Sequence, residues 1–134
     1  MIGAWELVSY RAHSTKNPEE FICPMGEEVR GILMLTPDGY MGAQIQEPGA
    51  KNVKSGDLNG GTDEELAERA RHYFGYTGPA TIDESGPEPI LKSVLQLSAF
   101  PNWLGSTQTR IVKLEGDKLT LRPEGPIEIF VSLP

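Results

Sequence analysis

The chain has 134 residues, among them 15 Gly and 11 Pro, with 38% hydrophobic side chains. That length gives one domain spanning residues 1–134 and excludes two comfortable ones; the composition excludes collagen-like, coiled-coil and disordered chains. Twelve basic against nineteen acidic residues give a net charge of −7, which repels a phosphate backbone and argues against nucleic acid as a partner.

The longest apolar run, Gly31 to Leu35, is too short to span a bilayer. The opening Met-Ile-Gly-Ala-Trp-Glu lacks the basic and apolar regions of a secretory signal. The single cysteine, Cys23, excludes an internal disulfide. The expectation is a cytoplasmic protein in a reducing compartment, with a homodimer left open.

The hydrophobic period is two rather than 3.6. Trp5 to Tyr10 reads as a strand with Trp5, Leu7 and Ser9 on one face. Val29 to Leu35 is the second strand, and Thr36-Pro37-Asp38-Gly39 turns the chain into a third, Tyr40 to Gln46. A loop over 47–61 leads to Thr62-Asp63-Glu64-Glu65, a capping box that starts the one expected helix. Leu66, Ala70, Tyr73 and Phe74 recur at helical spacing, and Gly75 and Gly78-Pro79 end it. Five further strands follow: Tyr76 to Ile82, Ile90 to Ser98, Gln108 to Leu114, Lys118 to Arg122 and Ile127 to Leu133.

Short antiparallel strands with turns at this spacing indicate an all-β chain. The expected fold is an antiparallel up-and-down β-barrel of about eight strands, with one α-helix between strands 3 and 4. Eight strands closed on themselves leave room for one small ligand.

Several stretches in this order resemble the lipocalin-like domain family of bacteria and fungi. They are Gly3-Ala4-Trp5 continuing to Tyr10, Gly31-Ile32-Leu33-Met34, Thr36 to Met41, Phe100-Pro101-Asn102-Trp103-Leu104-Gly105, and Gln108-Thr109-Arg110. The resemblance covers about residues 3 to 122. It implies a small barrel with a central cavity and no fixed reaction, with some relatives in natural-product pathways. Family members often carry His before the Pro-Asn-Trp turn, where this chain has Ser93 and Val94, so a mechanism through such a His does not transfer. The last strand has no obvious counterpart.

The residues themselves argue against metal and nucleotide chemistry. His13 and His72 have no ligand partner at i+2 or i+4. Gly60-Gly61 lacks the spacing and lysine of a phosphate loop, and Cys23 has no nearby His to activate it. The expectation is no metal and no cofactor.

Candidate catalytic residues are Arg110, Gln44 and His72. Arg110 shares a strand face with Gln108, Val112 and Leu114, and if that face is internal it polarises or binds a ligand oxygen. The structural alternative has Arg110 packing over Trp5 or pairing with an internal carboxylate. Gln44 is a neutral hydrogen-bonding group on the face of Tyr40, either in the pocket or in solvent. His72 suits proton transfer if the helix lids the barrel; otherwise it is a solvated helix residue. Candidate ligand-binding residues are Trp5, Tyr40, Tyr76, Gln108, Trp103 and Leu95, the last on the face shared by Leu91, Ser93 and Leu97.

The expected partner is a small hydrophobic or amphipathic molecule. The leading functional expectation is a cofactor-independent cyclase, isomerase or dehydratase acting on it in natural-product biosynthesis. The alternative is a non-catalytic carrier or sensor. A third class, a structural barrel with a packed interior, would show no cavity.

Overall fold

The computed structural model describes residues 1–123 in full and the backbone of residues 127–132. In chain order the elements are β1 Gly3–His13, β2 Phe21–Ile22, β3 Arg30–Leu35, β4 Tyr40–Gln46, α1 Asp63–His72, β5 Tyr73–Asp83, β6 Ile90–Val94, β7 Leu97–Ser98, a 3-10 turn Pro101–Trp103, β8 Thr107–Glu115, β9 Lys118–Arg122 and β10 Ile127–Ser132. The strands form one antiparallel sheet in the order β10-β9-β8-β6-β5-β4-β3-β1-β2. β7 lies beside β5, and β10 pairs with β1 as well as with β9.

Ten strands replace the expected eight because two are only two residues long: β2, and β7 cut from the run Ile90 to Ser98. β2 also moves the helix, which lies between the fourth and fifth strands rather than the third and fourth. The cut after Val94 has a steric cause. β6 approaches β5 so closely at Gly78 that a Cβ there would lie 1.8 Å from the Val94 carbonyl oxygen. The chain then breaks ladder geometry. Leu95 N–H donates to the Ser106 carbonyl at 3.0 Å, and Gln96 N–H donates to the Thr77 carbonyl at 2.9 Å. Leu95 is buried as a result, while Leu97, expected on the same face, is exposed.

Helix α1 begins as its sequence dictates. Thr62 Oγ1 accepts from the Glu65 amide at 3.2 Å, and Glu65 Oε1 accepts from the Thr62 amide at 3.0 Å. The other Glu65 oxygen accepts from the Lys54 amide at 2.9 Å, tying the preceding loop to the helix. Hydrogen bonds from the Thr62 and Lys54 amides hold the Glu65 carboxyl below its ordinary range.

The helix ends at His72, not Gly75, because the aromatic run joins the sheet. Tyr73, Phe74 and Tyr76 pair with Gln46, Ile45 and Ala43 of β4. Aromatic side chains favour a pleated, half-buried surface over a helix. Phe74 and Tyr76 therefore share a strand face.

The core consists of Trp5, Leu33, Leu35, Met41, Ala43, Leu91, Val112, Leu119 and Leu121, contributed by β1, β3, β4, β6, β8 and β9. Alternation places Tyr40, Gln44 and Gln46 on the opposite face of β4 from Met41 and Ala43. On β8 the inward set is Gln108, Arg110 and Val112; Leu114, expected with them, is exposed beside the Glu115–Lys118 hairpin.

Strand β1 departs from alternation. Leu7 pairs with Val131 and Ser9 with Phe130, so β1 carries one extra residue at Val8. This bulge shifts the phase of everything after it. Trp5 and Leu7 face the core; beyond the bulge the inward position passes from Ser9 to Tyr10, which reaches the cavity described next. Val8 itself is exposed.

Candidate functional site

Two voids with shared walls lie on the inner face of the sheet. The wider, about 310 Å³, is lined by Tyr10, Pro24, Met25, Ile45, Ala70, Arg71, Tyr73, Phe74, Tyr76, Phe100, Trp103 and Arg110. The deeper, about 40 Å³, is lined by Leu7, Gly31, Ile32, Leu33, Met41, Ala43, Gln44, Ile45, Tyr76, Leu91, Arg110 and Leu121. Ile45, Tyr76 and Arg110 line both and form the neck between them. The upper void has the size of a small-molecule site, whereas the lower holds water or a small substituent.

The upper walls are aromatic. Trp103 stands edge-on to Phe74 at a centroid distance of 5.4 Å, to Tyr76 at 5.9 Å and to Phe100 at 5.8 Å. Such edge-to-face contacts fix the rings while leaving a flat slot for an apolar guest. The 3-10 turn Pro101–Trp103 brings Trp103 into this cluster, with Ser106 Oγ donating to the Trp103 carbonyl at 2.6 Å.

Arg110 and Tyr76 put polar groups at the neck, with Tyr10 and Arg71 on the wall of the wider void. Arg110 is half-buried, and its Nη1 donates to the Thr109 carbonyl at 2.8 Å. Its Nε is buried without a hydrogen-bond partner. Burial pushes the Tyr76 phenol above its ordinary range, partly offset by the Arg110 charge, with Tyr10 close enough to push it up further. Tyr76 is thus held neutral beside a cation.

Of the candidate residues, Arg110, Tyr76 and Trp103 meet in this cavity. The others do not join them, each for a local reason. The Gln44 side chain points outward, where Oε1 accepts from the Tyr73 hydroxyl at 2.8 Å, and the residue is exposed. Tyr40 lies on that same outer face and is 44% exposed. Gln108 is half-buried but turns to Ser106 Oγ at 2.9 Å. Trp5 is a core residue whose Nε1 donates to the Met1 carbonyl at 2.7 Å, and it lines neither void. Leu95 is fully buried and lines neither. Ser93, at a position where family members often carry His, is buried with its Oγ unpartnered.

His72 lies outside the cavity because it is the last helical residue, held against the loop after β4. Its Nδ1–H donates to the Glu47 carbonyl at 3.0 Å, and Nε2 faces Glu68 Oε1 at 3.0 Å. The Glu47 carbonyl first, and the Glu68 charge after it, favour the imidazolium and raise its pKa against partial desolvation. The ring lines a separate open groove of about 860 Å³ between α1, the 46–59 segment and Phe100.

Sequence reasoning missed Tyr10, Phe74, Met25, Arg71 and Phe100 as cavity residues. The spacing Phe74-Gly75-Tyr76 carried a period-two signal masked by the adjoining helical pattern. Nothing local announces the bulge that turns Tyr10 inward.

Among the described residues no three His, Cys, Asp or Glu side chains come together. No described helix is long and apolar enough to cross a membrane.

Comparison with known proteins fits this arrangement. The chain is 39% identical over 93 residues to the 4'-hydroxy-3'-methoxypropiophenone carrier protein ppsC of Aspergillus oryzae (strain ATCC 42149 / RIB 40), a match covering 66% of this chain and 84% of that relative. No solved structure matches the chain. The lipocalin-like domain matches residues 2–130, so that an antiparallel sheet with one helix and a pocket on its inner face is here the framework of a member of the lipocalin-like domain family.

Proposed function

We propose that this chain is a carrier that binds one small, mainly apolar aromatic molecule inside a closed eight-strand barrel. The pairing of β10 with both β9 and β1 supports closure, with β2 and β7 as side pairings. The observation that carries the binding reading is the aromatic void of about 310 Å³, with Arg110 and Tyr76 at its neck. Ring stacking supplies affinity, and the neck fixes one oxygen of the guest. The carrier name of the 39% identical relative points the same way, toward an aryl ketone or a molecule like it.

A second reading is a cofactor-independent isomerase or cyclase. The placement of Arg110 beside a neutral Tyr76 favours it, since a cation and a phenol in an apolar site stabilise a developing enolate. Against it, the described lining of both voids contains no His, Asp or Glu to act as a base.

One experiment separates the two. The protein is titrated in deuterium oxide with 4'-hydroxy-3'-methoxypropiophenone while tryptophan fluorescence (Trp5 and Trp103) is followed, and the recovered ligand is analysed by mass spectrometry. Saturable quenching with unchanged ligand is the carrier result. Protein-dependent exchange of the α-hydrogens for deuterium, the signature of enolate formation, favours the enzyme, and no saturable binding by this or related aryl ketones overturns both.

A further inference from the structure

Every charged side chain on the described walls of the two voids is a cation. Arg110 lines both and Arg71 lines the upper one, with no Asp, Glu or His beside them, in a chain whose net charge is −7. Random placement would favour the opposite sign.

Arg110 is also incompletely partnered. One nitrogen bonds a neighbouring carbonyl and the guanidinium interacts with the neutral Tyr76 hydroxyl, while Nε is buried and makes no hydrogen bond. Among the described residues no carboxylate pairs with it. A half-buried cation whose Nε is buried and unpartnered gains from an anion or acceptor placed against it.

The described side chains around it offer no anion. β1 contributes Tyr10, β5 contributes Tyr73 and Tyr76, and α1 contributes Arg71. From β3, β4, β6 and β9 the described side chains facing the void are apolar, apart from the outward-turned Gln44. Tyr76 cannot serve as a counter-ion, because burial keeps it protonated.

Resting on the binding function above, we propose that the ligand is taken up as an anion: an aromatic molecule with one ionised oxygen, carboxylate or phenolate, seated on Arg110 with its ring against Phe74, Tyr76 and Trp103. The guest then supplies the charge that the pocket lacks. A charge-assisted bond to Arg110 is stronger than the neutral bond a ketone or phenol would make there.

The test uses the full chain and 4-nitrophenol, whose ionised form absorbs in the visible. Absorbance is followed against pH with and without saturating protein. The expected result is an apparent pKa for the bound probe lowered by about one unit, equivalent to roughly tenfold tighter binding of the phenolate. Arg110→Met should abolish this preference while the neutral phenol still binds, with circular dichroism confirming the fold. Competition by 3-phenylpropanoate but not 3-phenylpropanamide supports the carboxylate form of the ligand; phenolate preference without that competition supports the phenolate form. An unchanged or raised probe pKa in the unmodified protein overturns the proposal whatever the variant does. If the neutral phenol and the amide bind as tightly as the anions, the carrier reading stands and the anionic one falls. If no form binds, both fall.

Discussion

The two ends of the sheet solve different problems with the same strands. At one end Trp5, Leu33, Leu35, Met41, Leu91, Val112, Leu119 and Leu121 fill the interior, leaving a void of only about 40 Å³. At the other, Phe74, Tyr76, Phe100 and Trp103 stand 5.4 to 5.9 Å apart around about 310 Å³. Aliphatic side chains interdigitate to near-crystalline density, whereas rings in edge contact leave slots. The aliphatic end is built for stability, and the aromatic end is where binding is proposed.

The sharpest test of that division is a change that strikes the frame itself. Gly78→Ala puts a Cβ against the Val94 backbone carbonyl, which has no side-chain freedom to yield. We expect a loss of at least about 3 kcal/mol and a markedly lower melting temperature by calorimetry. Next comes Leu119→Ala, at a residue with 0% exposure. The expected cost is about 3 kcal/mol in urea unfolding, with ligand affinity nearly unchanged in the folded fraction. An affinity loss as large as the stability loss would show that the two ends are coupled.

The reverse pattern is expected at the mouth. Trp103→Ala should weaken aryl-ketone binding by roughly tenfold or more, as loss of a central aromatic anchor does, with a smaller effect on stability because Trp103 is only half-buried. Isothermal titration and thermal melts on one sample check both. Tyr10→Ala should enlarge the mouth and change affinity several-fold, whereas Ser9→Ala should not. Equal effects at these neighbours would contradict the phase shift at Val8.

The smallest effect belongs to His72, outside both regions. Its folded-state pKa lies above the ordinary 6.5. Its stabilisation is fully present below that unfolded value and is lost as pH rises through the folded one. Stability should decline slightly across this window, and His72→Gln should remove that component. An imidazole titration by NMR at or below 6.5 would contradict the Glu47 and Glu68 arrangement.

Much of this was legible in sequence. Alternation located most of the long strands, the Thr62–Glu65 box located the helix start, and the order of short stretches identified the family. Arg110 and Trp103 were singled out from their strand and turn positions. Gln44 and Tyr40 were not resolved, because a period of two identifies two faces without saying which is inside. Which of the two readings of His72 holds was not decided by sequence, because its direction depends on a carbonyl in a loop 25 residues earlier.

The sequence by itself determined the β character, the single helix, the acidic surface and the residue types available for a pocket. These depend on local spacing, turn chemistry and charge counts, which need no distant partner. Tertiary structure decided where the helix yields to β5, where β6 breaks and which residue of β1 reaches the cavity. Pairing with β4 draws Tyr73 into a strand, the close approach at Gly78 interrupts β6, and the bulge at Val8 exchanges Ser9 for Tyr10. Each is a contact between segments far apart in the chain, which local spacing does not encode.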